Sequence, residues 1–167
     1  MSIKYIIDGY NVLKQMPEYT GKKLKQGRDE LIRLFKIQRP QGSLKNEVII
    51  VFDGISSNNY IDDYLTNDYI IEKQYNLKII FTKKESADNR IKNIVIKSDN
   101  PRNIIVVTDD KELRQSVRIN GAKVLNVKEF IKPIIKTNKK SFENPKKELD
   151  LFEKISINKE LEKIWLK

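Results

Sequence analysis

Four short apolar runs without alternation set the strongest limit on what this chain can fold into. They are Tyr5-Ile6-Ile7, Val48-Ile49-Ile50-Val51-Phe52, Leu77-Lys78-Ile79-Ile80-Phe81 and Ile104-Ile105-Val106-Val107. A strand with apolar side chains on both sides must be covered on both faces, the condition of a parallel sheet rather than of a sheet with one face in water. A weaker fifth run is Lys123-Val124-Leu125-Asn126-Val127. Between the runs the spacing predicts helices: Arg28 to Arg39 with Leu31, Leu34 and Phe35 on one face, Asn89 to Lys97 with Ile91, Ile94 and Val95, and Asp110 to Ile119 with Leu113 and Val117. Gly121 stops the last of these and feeds the fifth run. Strand alternating with helix implies an open α/β sheet with right-handed crossovers. Ser56 to Asn76 is less regular, and its Tyr64, Leu65, Tyr69, Ile70 and Ile71 fit a helix packed on the sheet, the preferred reading, or an extended excursion.

A length of 167 residues suits one domain of catalytic size with a proper core. From Lys132 the composition turns to Lys, Asn and Glu, with Pro133 and Pro145 as breakers. The segment Pro145 to Lys167 regains a helical rhythm through Leu149, Phe152, Ile155, Leu161, Ile164 and Trp165. The expected organisation is a domain over 1–131 followed by a Lys-rich linker and helical extension over 132–167, with Trp165 as a docking anchor.

The sequence holds no Cys and no His. Disulfides, thiol nucleophiles, Cys/His zinc sites, histidine bases and Ser-His-Asp triads are excluded by that inventory. Chemistry is left to carboxylates, Lys, Tyr or a metal-bound water. The net charge of +10 favours an anionic partner: RNA, DNA or the ribosome, and less so an anionic membrane face. Enrichment of Lys, Asn and Ile by an AT-rich genome is the bland alternative. No apolar stretch approaches the length of a signal peptide core or a membrane span, so no membrane partner is expected and the default location is cytoplasmic. Oligomeric state is not legible.

The acids are informative by position. Asp8 follows the first run, Asp53 the second, and Asp109-Asp110 the fourth after a single Thr108, while Asp88 opens the helix after the third. All fall at the carboxyl ends of expected parallel strands, where open α/β sheets build their sites. Adjacent strands lie about 4.8 Å apart, so acids ending them converge. Carboxylates this close repel one another and call for a cation; an all-oxygen set suits Mg²⁺ or Mn²⁺. Each acid also has a plain structural use. Asp109 with Glu112 reads as a capping box, Ser86 and Asp88 suit a helix start, and Asp53-Gly54 is a turn signal.

Taken together, the motifs resemble a known family. Ile6-Ile7-Asp8-Gly9-Tyr10-Asn11-Val12, Val51-Phe52-Asp53-Gly54, Ser86-Ala87-Asp88-Asn89-Arg90-Ile91 and Val107-Thr108-Asp109-Asp110-Lys111-Glu112-Leu113-Arg114 stand in order, followed by Gly121-Ala122 and Glu129-Phe130. They resemble the NYN-domain proteins, in particular the YacP-like branch of the PIN-like ribonucleases, over Met1 to Ile131. The resemblance implies a three-layer α/β/α fold with a parallel sheet ordered 3-2-1-4-5 and metal-dependent endonucleolytic cleavage of RNA. It implies Asp8, Asp88 and Asp109 as core metal-binding acids, Asp53 and Asp110 assisting, and Asn11 beside Asp8 on metal-bound water or phosphate. Asn89 stands where relatives often carry a second acid, which leaves one metal or two open. Arg28, Arg90 and Arg114, with Lys139 and Lys140 in the tail, are the candidate RNA contacts; Tyr10 is placed either to stack on a base or to pack on the sheet edge.

Two other classes compete. A non-catalytic RNA- or ribosome-binding module keeps the same fold without turnover. Aspartyl-phosphate chemistry fits poorly, since haloacid dehalogenase-like enzymes need a second Asp where this chain has Tyr10.

Overall fold

The computed structural model describes residues 2–19, 21, 23–54, 68–74, 76–82 and 85–133. The chain divides into two units, Met1–Phe130 and Ile131–Lys167, and the first carries the sheet. Its strands are β1 (Lys4–Asp8), β2 (Glu47–Asp53), β3 (Asp68–Gln74), β4 (Leu77–Thr82), β5 (Ile104–Val107) and β6 (Lys123–Leu125). The helices are α1 (Gly9–Lys14), α2 (Leu24–Gln38), α3 (Ala87–Ile96) and α4 (Lys111–Ile119), and residues 127–133 are helical as well.

The sheet runs β3-β4-β2-β1-β5-β6. Its five parallel strands, β4-β2-β1-β5-β6, have the order 3-2-1-4-5 when counted among themselves, as the motif resemblance implies. The sixth strand corrects the sequence reading. Asp68–Gln74 is no helix: it pairs antiparallel with β4, with a register shift between Ile70 and Lys73. A β-branched and aromatic run fits an edge strand, and Asn76 at φ 62° supplies the left-handed turn that sends the chain back into β4. The rest of the stretch read as helical, 56–67, lies outside the described residues.

The apolar runs are covered on both faces, as their composition requires. Ile6, Ile49, Val51, Ile80, Ile104 and Val106 form one cluster with Ala87, Ile91 and Val95 of α3 and Leu113 and Val117 of α4. On the other face Tyr5 and Phe35 both pack on Phe130, at centroid distances of 5.6 and 5.9 Å. Each buried Ile or Val side chain contributes about 1.5–3 kcal/mol against exposure, so the strand order is enforced chiefly by these two faces. The register sets Asp8 opposite Val51 and Asp53 opposite Thr82, so the β1, β2 and β4 ends lie at one edge. Helix α2 begins at Leu24, one turn before the expected start at Arg28, and α1 was not anticipated at all.

Candidate active site

Asp8 is the last residue of β1 and the N-cap of α1. Its Oδ1 accepts from the Asn11 backbone N at 3.2 Å and its Oδ2 from the Thr108 hydroxyl at 3.1 Å. Asp8 is 9% exposed. Burial raises its pKa above the ordinary carboxylate value; the two hydrogen bonds oppose this, and repulsion from Asp88 and Asp53 adds to it.

The turn that holds Asp8 is made possible by its neighbour. A Cβ on Gly9 would collide with the Phe52 ring, so only glycine lets the start of α1 lie against β2. Asn11 then ties the β1 turn to the β5 turn, because its Oδ1 accepts from the Asp109 backbone N at 3.3 Å. That bond uses one lone pair of the amide carbonyl and leaves the –NH₂ donor, which suits a phosphate oxygen.

Asp88 lies in the first turn of α3, behind the Ser86 N-cap. Its pKa is also raised, first by burial, then by repulsion from Asp110, with Lys92 opposing and Asp53 and Glu112 adding. Asp53 is anchored to the same helix, since its Oδ1 accepts from the Ala87 backbone N. Thr82 is buried with its hydroxyl 3.5 Å from that oxygen.

The adjacent acids after β5 part company. Asp110 is the N-cap of α4, accepting from Leu113 N at 2.8 Å, and it is the acid whose charge bears most on Asp88. Asp109 instead accepts from Val127 N at 3.1 Å, holding the start of the helix at 127–133. Of the pair, Asp110 is the one whose charge acts on Asp88, and the α4 cap is Asp110 rather than an Asp109 capping box. Two helpers went unassigned in the sequence. Thr108 accepts from Asp110 N at 3.1 Å while donating to Asp8, and Glu112 joins the repulsion on Asp88. A lone Thr at the end of an otherwise apolar strand was the available signal for the first.

The donors are carboxylates and one amide, with no nitrogen or sulfur ligand, which is the chemistry of a hard divalent cation. Among the described residues, no three acids are drawn together tightly enough to enclose an ion. Mg²⁺ commonly takes only one or two carboxylates and completes its sphere with waters and substrate phosphate, so the donor set fits such an ion.

The basic candidates are scattered. Arg28 does not lie on an open face: it is 8% exposed, donates from Nη1 to the Tyr10 hydroxyl at 3.1 Å, and lies 5.2 Å from the Phe81 ring centroid. Arg90 is half-buried and pairs with Glu85 at 3.6 Å. Arg114 is half-buried on α4, and Lys139 and Lys140 lie outside the described residues.

With this geometry in hand, comparison with known proteins becomes specific. A family model described as the YacP-like NYN domain matches residues 5–166. The chain belongs to the YacP-like NYN domain family. The match continues past Ile131, where the motif resemblance ends, so the family's domain takes in the C-terminal segment too. Among solved structures, Rae1 (YacP) from Bacillus subtilis, crystallised as a Trp-to-Leu variant, is similar at 22% identity, with a TM-score of 0.61 over 92% of this chain and 89% of that one. At that identity the likeness establishes a shared YacP fold. No match was found among curated proteins.

Proposed function

We propose that this YacP-like NYN protein is a metal-dependent endoribonuclease. The observation that carries the proposal is the acidic edge itself: Asp8 ends β1, Asp53 ends β2, Asp88 opens α3 and Asp110 caps α4, and Asp8 and Asp88 are raised in pKa first by burial and then by repulsion, Asp8 from Asp88 and Asp53, Asp88 from Asp110, Asp53 and Glu112. A fold does not keep such repulsion without a use for it, and family membership supports a ribonuclease-type one.

Asp8 and Asp88 would hold Mg²⁺ or Mn²⁺, with waters and substrate phosphate completing its sphere and Asp53, Asp109 and Asp110 as the further candidate acids. When bound, such an ion supplies a water acidic enough to attack at neutral pH and neutralises charge building on the phosphoryl oxygens. The chain's own groups do the rest. Thr108 and the Asn11 backbone fix Asp8 in one orientation. The Asn11 –NH₂ is placed to donate to a phosphate oxygen, and Arg114 on α4 offers a charge for the RNA backbone. With no histidine in the sequence, the proton taken from the attacking water passes to a carboxylate or to solvent.

The test is incubation of the purified protein with mixed cellular RNA in Mn²⁺ or in EDTA, followed by mapping of the new ends. Internal ends that arise only with the metal are expected. RNA binding without any new ends would favour the non-catalytic module instead.

A further inference from the structure

Arg28 is a buried cation, yet among the described residues no carboxylate pairs with it. Burying an unpaired charge is costly, and such groups are normally matched by an anion. The guanidinium instead rests on the Phe81 ring and donates one N–H to Tyr10. None of its nitrogens is both sealed from solvent and unpartnered, so those that do not bind Tyr10 remain open to water.

Tyr10 compounds the imbalance. Its hydroxyl accepts from Arg28, which leaves its own proton to donate, and the described residues offer no acceptor. The ring is held edge-on to Phe52 at 5.3 Å, and Phe52 stacks on Phe81 at 5.4 Å, so both donors sit on a rigid aromatic base. This base is tied to the acidic edge: Tyr10 is two residues from Asp8, and Phe52 and Phe81 immediately precede Asp53 and Thr82, which pair in the sheet.

The geometry points to a phosphate subsite formed by the Arg28 guanidinium and the Tyr10 hydroxyl, which takes the RNA phosphodiester neighbouring the one that is cut. This inference rests on the proposed ribonuclease function. An anion there supplies the missing counter-charge and accepts from both groups, and it registers the strand so that the next linkage meets the acids.

The subsite is tested by binding, without turnover. A fluorescent single-stranded oligoribonucleotide is titrated with full-length protein in EDTA, as a series in which one neutral methylphosphonate linkage is moved along the strand. In the wild type, neutralising the contacted linkage should weaken binding about tenfold, the scale of a charge-assisted hydrogen bond. Arg28→Gln should bind the all-phosphate strand about tenfold more weakly, lower the salt slope by about 0.7, and become indifferent to the linkage at that position. Because loss of Arg28 also removes its packing on Phe81, Tyr10→Phe provides a variant that keeps the ring on Phe52; with Arg28 still in place it should show a smaller loss of sensitivity at that same position, with a melting temperature near wild type. Unchanged positional sensitivity in Tyr10→Phe and Arg28→Gln, or none in the wild type, overturns the subsite while leaving the ribonuclease proposal standing. A wild type that binds none of the strands overturns the subsite, and the ribonuclease proposal falls only if the protein also makes no new RNA ends in Mn²⁺.

Discussion

The two turns that meet at the acidic edge handle their acids in opposite ways. After β1 a single acid, Asp8, is buried and held through both oxygens. After β5 two neighbouring acids divide the work: Asp110 acts on Asp88, and Asp109 accepts from Val127 N. The first turn obtains its rigidity from a single acid, whereas the second draws on both of its acids, Asp110 capping α4 and Asp109 holding the start of the helix at 127–133. Identical side chains one residue apart thus differ in role because different backbone N–H groups reach them.

That contrast can be broken by substitution. The largest effect is expected for Asp110→Asn, which should lower the RNA cleavage rate about a hundredfold or more, while Asp109→Asn, whose amide oxygen still accepts from Val127 N, should stay within a few-fold of wild type. Single-turnover rates in Mn²⁺ separate them, and equal losses would erase the distinction. Gly9→Ala should cost about 1–3 kcal/mol in denaturant unfolding, because Phe52 has to move to admit a methyl group. Asp109→Ala, which removes the acceptor altogether, should cost about 1 kcal/mol, as loss of a helix cap does.

The smallest effect concerns pH. Asp8 and Asp88 hold their protons more tightly folded than unfolded. Their contribution to the metal-free protein therefore declines as pH rises from the ordinary value of 3.8 through the raised folded value, and is constant above it. Asp88→Asn accepts that relief without losing a hydrogen bond, so at pH 7 it should be as stable as wild type or more so, by about 0.5 kcal/mol after screening. The difference should vanish in acid. A clear loss of stability at pH 7 would mean that Asp88 serves mainly the α3 dipole.

The strand runs were legible because burial on both faces leaves a compositional trace, and the order 3-2-1-4-5 came with the motif resemblance. Edge strand β3 was not, because Tyr69, Ile70 and Ile71 suit a helix or a strand equally until Asn76 is recognised as a left-handed turn. Sequence position placed Asp8, Asp53, Asp88, Asp109 and Asp110 at one edge, which is where they lie. It does not encode which backbone N–H a carboxylate will meet, and so the α4 cap is Asp110 rather than Asp109. The burial of Arg28 was not legible for a related reason: Phe81 and Tyr10, distant in sequence, supply the surface on which its planar guanidinium is buried.

Asp8 carries the most weight, since it alone is fixed from both turns. The decisive measurement is the single-turnover cleavage of an RNA substrate by Asp8→Asn in Mn²⁺, beside wild type in Mn²⁺ and in EDTA, with circular dichroism confirming that the variant is folded. Cleavage by the wild type in Mn²⁺ alone, with the folded variant slowed about a hundredfold or more, is the expected result. A folded Asp8→Asn that cuts at the wild-type rate, or a wild type that cuts equally well in EDTA, would contradict the account.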